Sequence, residues 1–362
     1  MKRTYFPACK IMRVGVVLVV LLSASASQAG PIFNFTGNTL GGGSRWDAAP
    51  RVINLSGTLS ERSLDGGLRY SLQGGSFQAY RDSFSWSGPA PSVAAFQAAV
   101  QQAFDCWTVT DPVSKAPSTL RFVADLNTAV VSGNTGNGGV DPRGAEIDLF
   151  ASNDAFFWNP GNNGTQGETW FATIGSTVKL TSGTANYAGS SAISGADIII
   201  NSNPGALYTL DLFRRLLSHE IGHAIGLGDV EGSINPGAFI DNNFDPTNSA
   251  TALATLTDSW ASLVNILDPG ASVGLARYTV PFGDPGTTTN GVDILMESNG
   301  LGIAPGNPVT NLFPLSNDDY GTRQFLYPVA IPEPATVLLC SACMGMAGVA
   351  AWSRRRGKLL AR

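Results

Sequence analysis

Apolar residues recur at three- and four-residue spacing in two stretches of the chain, and that spacing predicts two amphipathic helices. In the first, Val93, Phe96, Val100, Phe104 and Trp107 follow Pro91-Ser92, with Ser92 placed as the N-cap. The second starts near Thr209 and carries Leu212, Phe213, Leu216, Leu217, Ile221 and Ile225. Gly226 and Gly228 end it, because glycine accepts the positive φ of a helix-terminating turn. Short runs rich in β-branched and aromatic residues, separated by Gly/Asn-rich loops, predict strands at 51–55, 68–72, 119–124, 146–150, 169–174 and 196–200. The apolar stripe of the first helix should pack on that sheet, so the expected class is α+β. Residues 251–267 read as a further helix inside an insertion at about 230–291.

Hydropathy sets the two ends of the chain apart. A basic stretch to Arg13, an apolar core at 14–22 and small residues ending in Ser27-Gln28-Ala29 predict a signal peptide over 1–29, cut by signal peptidase. At the other end Pro332-Glu333-Pro334 precedes an apolar run at 337–352 and then Arg354, Arg355 and Arg356. That run is near the short limit for a transmembrane helix, and the arginines would stay on the cytoplasmic side. The arrangement resembles the PEP-CTERM sorting signals of Gram-negative bacteria over about the last 32 residues. The resemblance implies removal of the tail by an exosortase-type membrane enzyme. Transient inner-membrane anchoring would then be followed by delivery to the cell surface or extracellular matrix. The expected division is signal peptide 1–29, working domain 30–329 and sorting tail 330–362.

Composition changes this picture in two places. The chain has 362 residues, 43% of them apolar and 14% charged, enough to bury a sizeable core. Its net charge of −5 joins basic ends to an acidic body: between Gly30 and Ile331 there are 13 basic and 26 acidic residues. A nucleic-acid partner is not expected for such a body. Of four cysteines only Cys106 lies in the exported part, so the fold cannot rely on an internal disulfide.

The chain has two histidines, and both fall in the second helix, in His219-Glu220-Ile221-Gly222-His223. Residues four apart project from one helix face a turn apart, so His219 and His223 can chelate one metal ion. Glu220 sits beside them, placed to take a proton from a metal-activated water. A catalytic zinc site takes three protein ligands, and with no third histidine an oxygen donor is required. Asp229, ten positions after His219 and beyond the glycine turn, is the first candidate; Glu231, Asp241 and Asp245 are nearby carboxylates.

This stretch resembles the metzincin zinc metallopeptidases, whose signature is HExxHxxGxxH with a later methionine-containing turn. Asp229 stands where the last histidine usually is. Asp293-Ile294-Leu295-Met296-Glu297-Ser298 is similar to the methionine turn, with Met296 as a hydrophobic floor. The segment from Leu315-Ser316-Asn317-Asp318-Asp319-Tyr320 to Leu326-Tyr327 looks like the final helix of the matrixin branch. The resemblance implies a metzincin-like catalytic domain: a twisted mixed sheet, an active-site helix and a small irregular lower subdomain. It implies a zinc endopeptidase acting on protein or peptide substrates, with Glu220 as general base and His219, His223 and Asp229 on one zinc ion. No histidine is left for a second zinc site. Asp241 to Asp245 alternates oxygen donors as a calcium loop does, but Pro246 and Ala252 occupy the positions of its required glycine and glutamate. A calcium ion elsewhere among the carboxylates is left unplaced. The rival class is a non-catalytic exopolysaccharide-matrix or adhesion protein that retains the same fold, and Glu220 separates the two, since a binding module needs no base beside its metal ligands.

Overall fold

The computed structural model describes residues 43–110, 117–131, 143–153 and 166–229, apart from 56–57, 175–176, 179–186 and 189, together with 295–296, 315 and 317–327. Its strands are β1 (Gly43–Arg45), β2 (Val52–Leu55), β3 (Thr58–Glu61), β4 (Leu68–Leu72), β5 (Ser85–Trp86) and β6 (Phe122–Ala124). They continue with β7 (Ile147–Ser152), β8 (Gly167–Ile174), β9 (Thr177–Val178), β10 (Tyr187–Ala188), β11 (Ser190–Asn201) and β12 (Leu207–Tyr208). Four α-helices are described: α1 (Phe77–Arg81), α2 (Val93–Asp105), α3 (Leu210–Ala224) and α4 (Asn317–Leu326). The fold is mixed α+β.

The main sheet runs β1-β11-β7-β4-β6 with every neighbouring pair parallel, and β8 joins β11 antiparallel. Its centre is the long β11, whose Ile198, Ile199 and Ile200 are all at most 2% exposed. Such an uninterrupted apolar run belongs to a strand covered on both faces. The remaining strands form three two-stranded pairs, and the expected strand at 51–55 sits in one of them, β2 with β3.

The helices form where the periodicity put them. The Ser92 side chain accepts from Ala95 N and the Thr209 side chain from Leu212 N, each at 3.1 Å, which satisfies an otherwise orphaned donor at each helix start. Phe96, Val100 and Phe104 of α2 and Phe213, Leu217 and Ile221 of α3 are at most 1% exposed and share one core with the sheet. Tyr70 of β4 stacks on Phe104, ring centroids 4.1 Å apart, joining sheet to helix. The consequence for function is rigidity: α3 is packed along its length before it reaches the two histidines.

One expectation is corrected. A transmembrane helix was expected at 337–352, but no helix among the described residues is long and apolar enough to cross a membrane. The longest, α3, has 15 residues and rises about 22 Å against a hydrocarbon core of about 30 Å. An apolar run of 16 residues would reach only about 24 Å as a helix. The signal peptide, the 230–291 insertion with its expected helix, the acidic loop and the tail itself lie outside the described residues.

Candidate metal centre

The last turns of α3 bury their polar side chains, with His219 8%, Glu220 3% and His223 7% exposed. Buried polar groups need partners, and each histidine has one on the main chain. His219 Nδ1 lies 2.6 Å from Leu295 O, and His223 Nδ1 lies 2.9 Å from Leu227 O. A carbonyl can only accept, so each Nδ1 carries the hydrogen. In the neutral ring that leaves the lone pair on Nε2.

Both Nε2 atoms lie 3.3 Å from the same atom, Asp229 Oδ1. That oxygen is buried and accepts no hydrogen bond. The three ligand atoms lie within 4.8 Å of one another, a group that could hold a metal ion. Two ligands on a tetrahedral zinc, with bonds of about 2.0–2.1 Å, stand about 3.3 Å apart. The residues present therefore fit a divalent cation in number, donor type and spacing.

Electrostatics points the same way. Three electron-rich atoms facing each other repel unless a proton or a cation lies among them. Burial acts to lower the His219 pKa, but the Asp229 carboxylate beside it outweighs burial and pushes it up to about 9. Burial likewise acts to raise Asp229, and the two imidazoles override it, holding its carboxyl well below the usual range. The site is thus built to hold positive charge.

The neighbouring side chains fix these groups in place. Glu220 Oε2 lies 2.7 Å from the Thr169 hydroxyl on β8, and that hydroxyl is also 3.0 Å from the Glu220 carbonyl. Gly167, two residues earlier on the same face of β8, leaves the room: a Cβ there would stand 2.4 Å from Glu220 Oε1. On the other side Met296, 1% exposed, packs against Gly222, where an added Cβ would meet its sulfur at 2.3 Å. Asp319 of α4 accepts from Leu295 N at 3.2 Å and Met296 N at 3.3 Å. It holds the turn whose carbonyl orients His219, so a residue on α4 reaches the site through the main chain.

The structure brings His219, His223 and Asp229 together with Glu220 beside them, and Met296 lies beneath the intervening helical turn. Glu231, Asp241 and Asp245 fall outside the described residues. Sequence reasoning missed Gly167, Thr169 and the role of Asp319. Period-two alternation places 167 and 169 on one strand face, but no local signal says which helix that face meets. Cys106 is buried, and burial pushes its thiol up to about 12, so it serves packing rather than reactivity.

Comparison with known families identifies one segment. The PEP-CTERM protein-sorting motif matches residues 330–356. Such motifs mark bacterial proteins for surface or extracellular sorting by membrane-associated exosortases, whose substrate they are. No curated protein matches the chain.

Proposed function

We propose that the chain is an exported zinc-dependent endopeptidase of the metzincin type, in which residues 30–329 do the chemistry and 330–362 direct its delivery. The observation that carries this reading is the convergence of two Nε2 atoms and one carboxylate oxygen, with both Nδ1 atoms committed to carbonyls and Glu220 anchored alongside. Two imidazoles and a carboxylate suit zinc better than the all-oxygen sets preferred by calcium or magnesium. The mixed sheet, the helix bearing the motif and the Met296 turn support the family reading.

His219, His223 and Asp229 would hold the ion, which supplies Lewis-acid polarisation of the scissile carbonyl and of the attacking water. Glu220 accepts the water proton and passes it to the leaving nitrogen. Thr169 holds Glu220 Oε2, and Oε1, which lies beside Gly167 of the same strand, is the oxygen offered for proton transfer. The Asp229 carboxylate makes the ligand set one charge less positive than three histidines would. No observation favours the matrix-protein rival, and Glu220 held beside the ligands speaks against it.

The purified protein should therefore cleave a peptide library or an unfolded protein. A zinc chelator should reduce cleavage to background, and added zinc should restore it. Cleavage that persists undiminished after exhaustive chelation would end the metallopeptidase reading.

A further inference from the structure

The last four carbonyls of a helix have no partner within it, and those of α3 sit next to the proposed metal ligands. Two are satisfied locally: Leu227 N donates to Gly222 O at 3.0 Å and Gly226 N to His223 O at 2.8 Å, with Gly226 at φ +102°. This is the pattern of a Schellman turn. The remaining two are satisfied from opposite ends of the described chain. Trp46 Nε1 donates to Ala224 O at 3.0 Å, and the Tyr327 hydroxyl donates to Ile225 O at 2.7 Å.

The two caps are also tied to each other. The Tyr327 oxygen accepts from Trp46 N at 3.2 Å, and Arg45 Nη1 donates to Leu326 O at 3.1 Å. Trp46 and Tyr327 are 1% and 2% exposed. The β1 backbone presses on the turn as well, since a Cβ on Gly226 would come within 2.1 Å of Ser44 O. Everything that follows this turn depends on its path: Leu227 O orients His223, and Asp229 completes the ligand set.

We propose that Trp46 and Tyr327 are positioning residues for the metal centre, capping the ligand helix so that the turn delivers Leu227 O and Asp229 to the histidines. It follows that the segment from Gly43 to Trp46 belongs to the working protein and is not removed as an activation peptide. The proposal rests on the metal reading above and goes beyond it in assigning residues from both ends of the described chain to the site.

The test uses the full chain with Trp46→Phe and Tyr327→Phe, each of which removes one donor and keeps the ring. Zinc affinity is measured by competition with a chelator, well below the melting temperature. Each variant should bind zinc about 10–100-fold more weakly, the range expected when a group that orients a ligand is lost. Phe96→Leu, in the same core but away from the turn, should lower the melting temperature and leave zinc affinity within threefold. Parent-like zinc affinity in both cap variants overturns the proposal while leaving the metal reading intact. A parent that binds no zinc overturns both. The N-terminus of active protein recovered from cells gives a check independent of any variant: it should lie before Gly43, and one beyond Trp46 in fully active protein overturns the proposal.

Discussion

Replacing Glu220 with Gln should leave the protein folded and able to hold zinc, yet slow peptide hydrolysis by about 10²–10⁴-fold, the range for removing a positioned general base. Glutamine has the same shape, and its amide oxygen can take the Thr169 hydroxyl that now lies 2.7 Å from the carboxylate. The space opened by Gly167 accommodates either side chain. What the amide lacks is a proton-accepting oxygen for the attacking water. A pure binding module would show no such split between metal retention and activity. Turnover of a quenched peptide should be measured beside zinc content on the same preparation. Glu220→Gln turnover within twofold of the parent would remove Glu220 from the chemistry.

Gly226→Ala should be the most damaging single-methyl change in the described site. Its φ of +102° lies where an L residue is strained, at a cost of about 1–2 kcal/mol. The new Cβ would also stand 2.1 Å from Ser44 O, a backbone atom that cannot rotate away, adding about 1–3 kcal/mol of overpacking. For a domain of this size the sum lowers the melting temperature by on the order of 10 °C. Gly66 supplies the control: φ is +79° and nothing lies within 4 Å of an added Cβ, so Gly66→Ala carries strain alone. Thermal unfolding of the two variants side by side separates the terms. Equal shifts would mean that contact with β1 contributes nothing.

The elements most legible in the sequence were those whose signals are local. The apolar spacing of α2 and α3, the Ser92 cap of α2 and the glycine turn after α3 all lie within a few residues of what they determine. The strand β4 appears at its expected bounds for the same reason. Elsewhere local signals were too weak. β11 begins at Ser190, six residues before the expected strand, because Ser190, Ser191, Ser194 and Gly195 dilute its pattern and the register shifts between Ile193 and Gly195. β1 is Gly-Ser-Arg, with no alternation to read, and exists by pairing with residues 190–192 far along the chain. α1 has only five residues, too few for a helical period to show.

The candidate site divides in the same way. His219, Glu220, His223 and Asp229 are legible because one helix face and one turn create the arrangement. Thr169, Asp319, Trp46 and Tyr327 are not, because each reaches the site by a tertiary contact that no spacing encodes. The transmembrane helix expected at the tail rested on an apolar run of 16 residues, already near the short limit for spanning a bilayer core of about 30 Å.

We propose that His219, His223 and Asp229 form one metal site. Its most direct test is the metal content of the purified protein after incubation with excess zinc and removal of unbound ion. One zinc per chain in the parent, falling to near zero in Asp229→Ala, is the predicted result; a parent that retains no zinc would contradict the account.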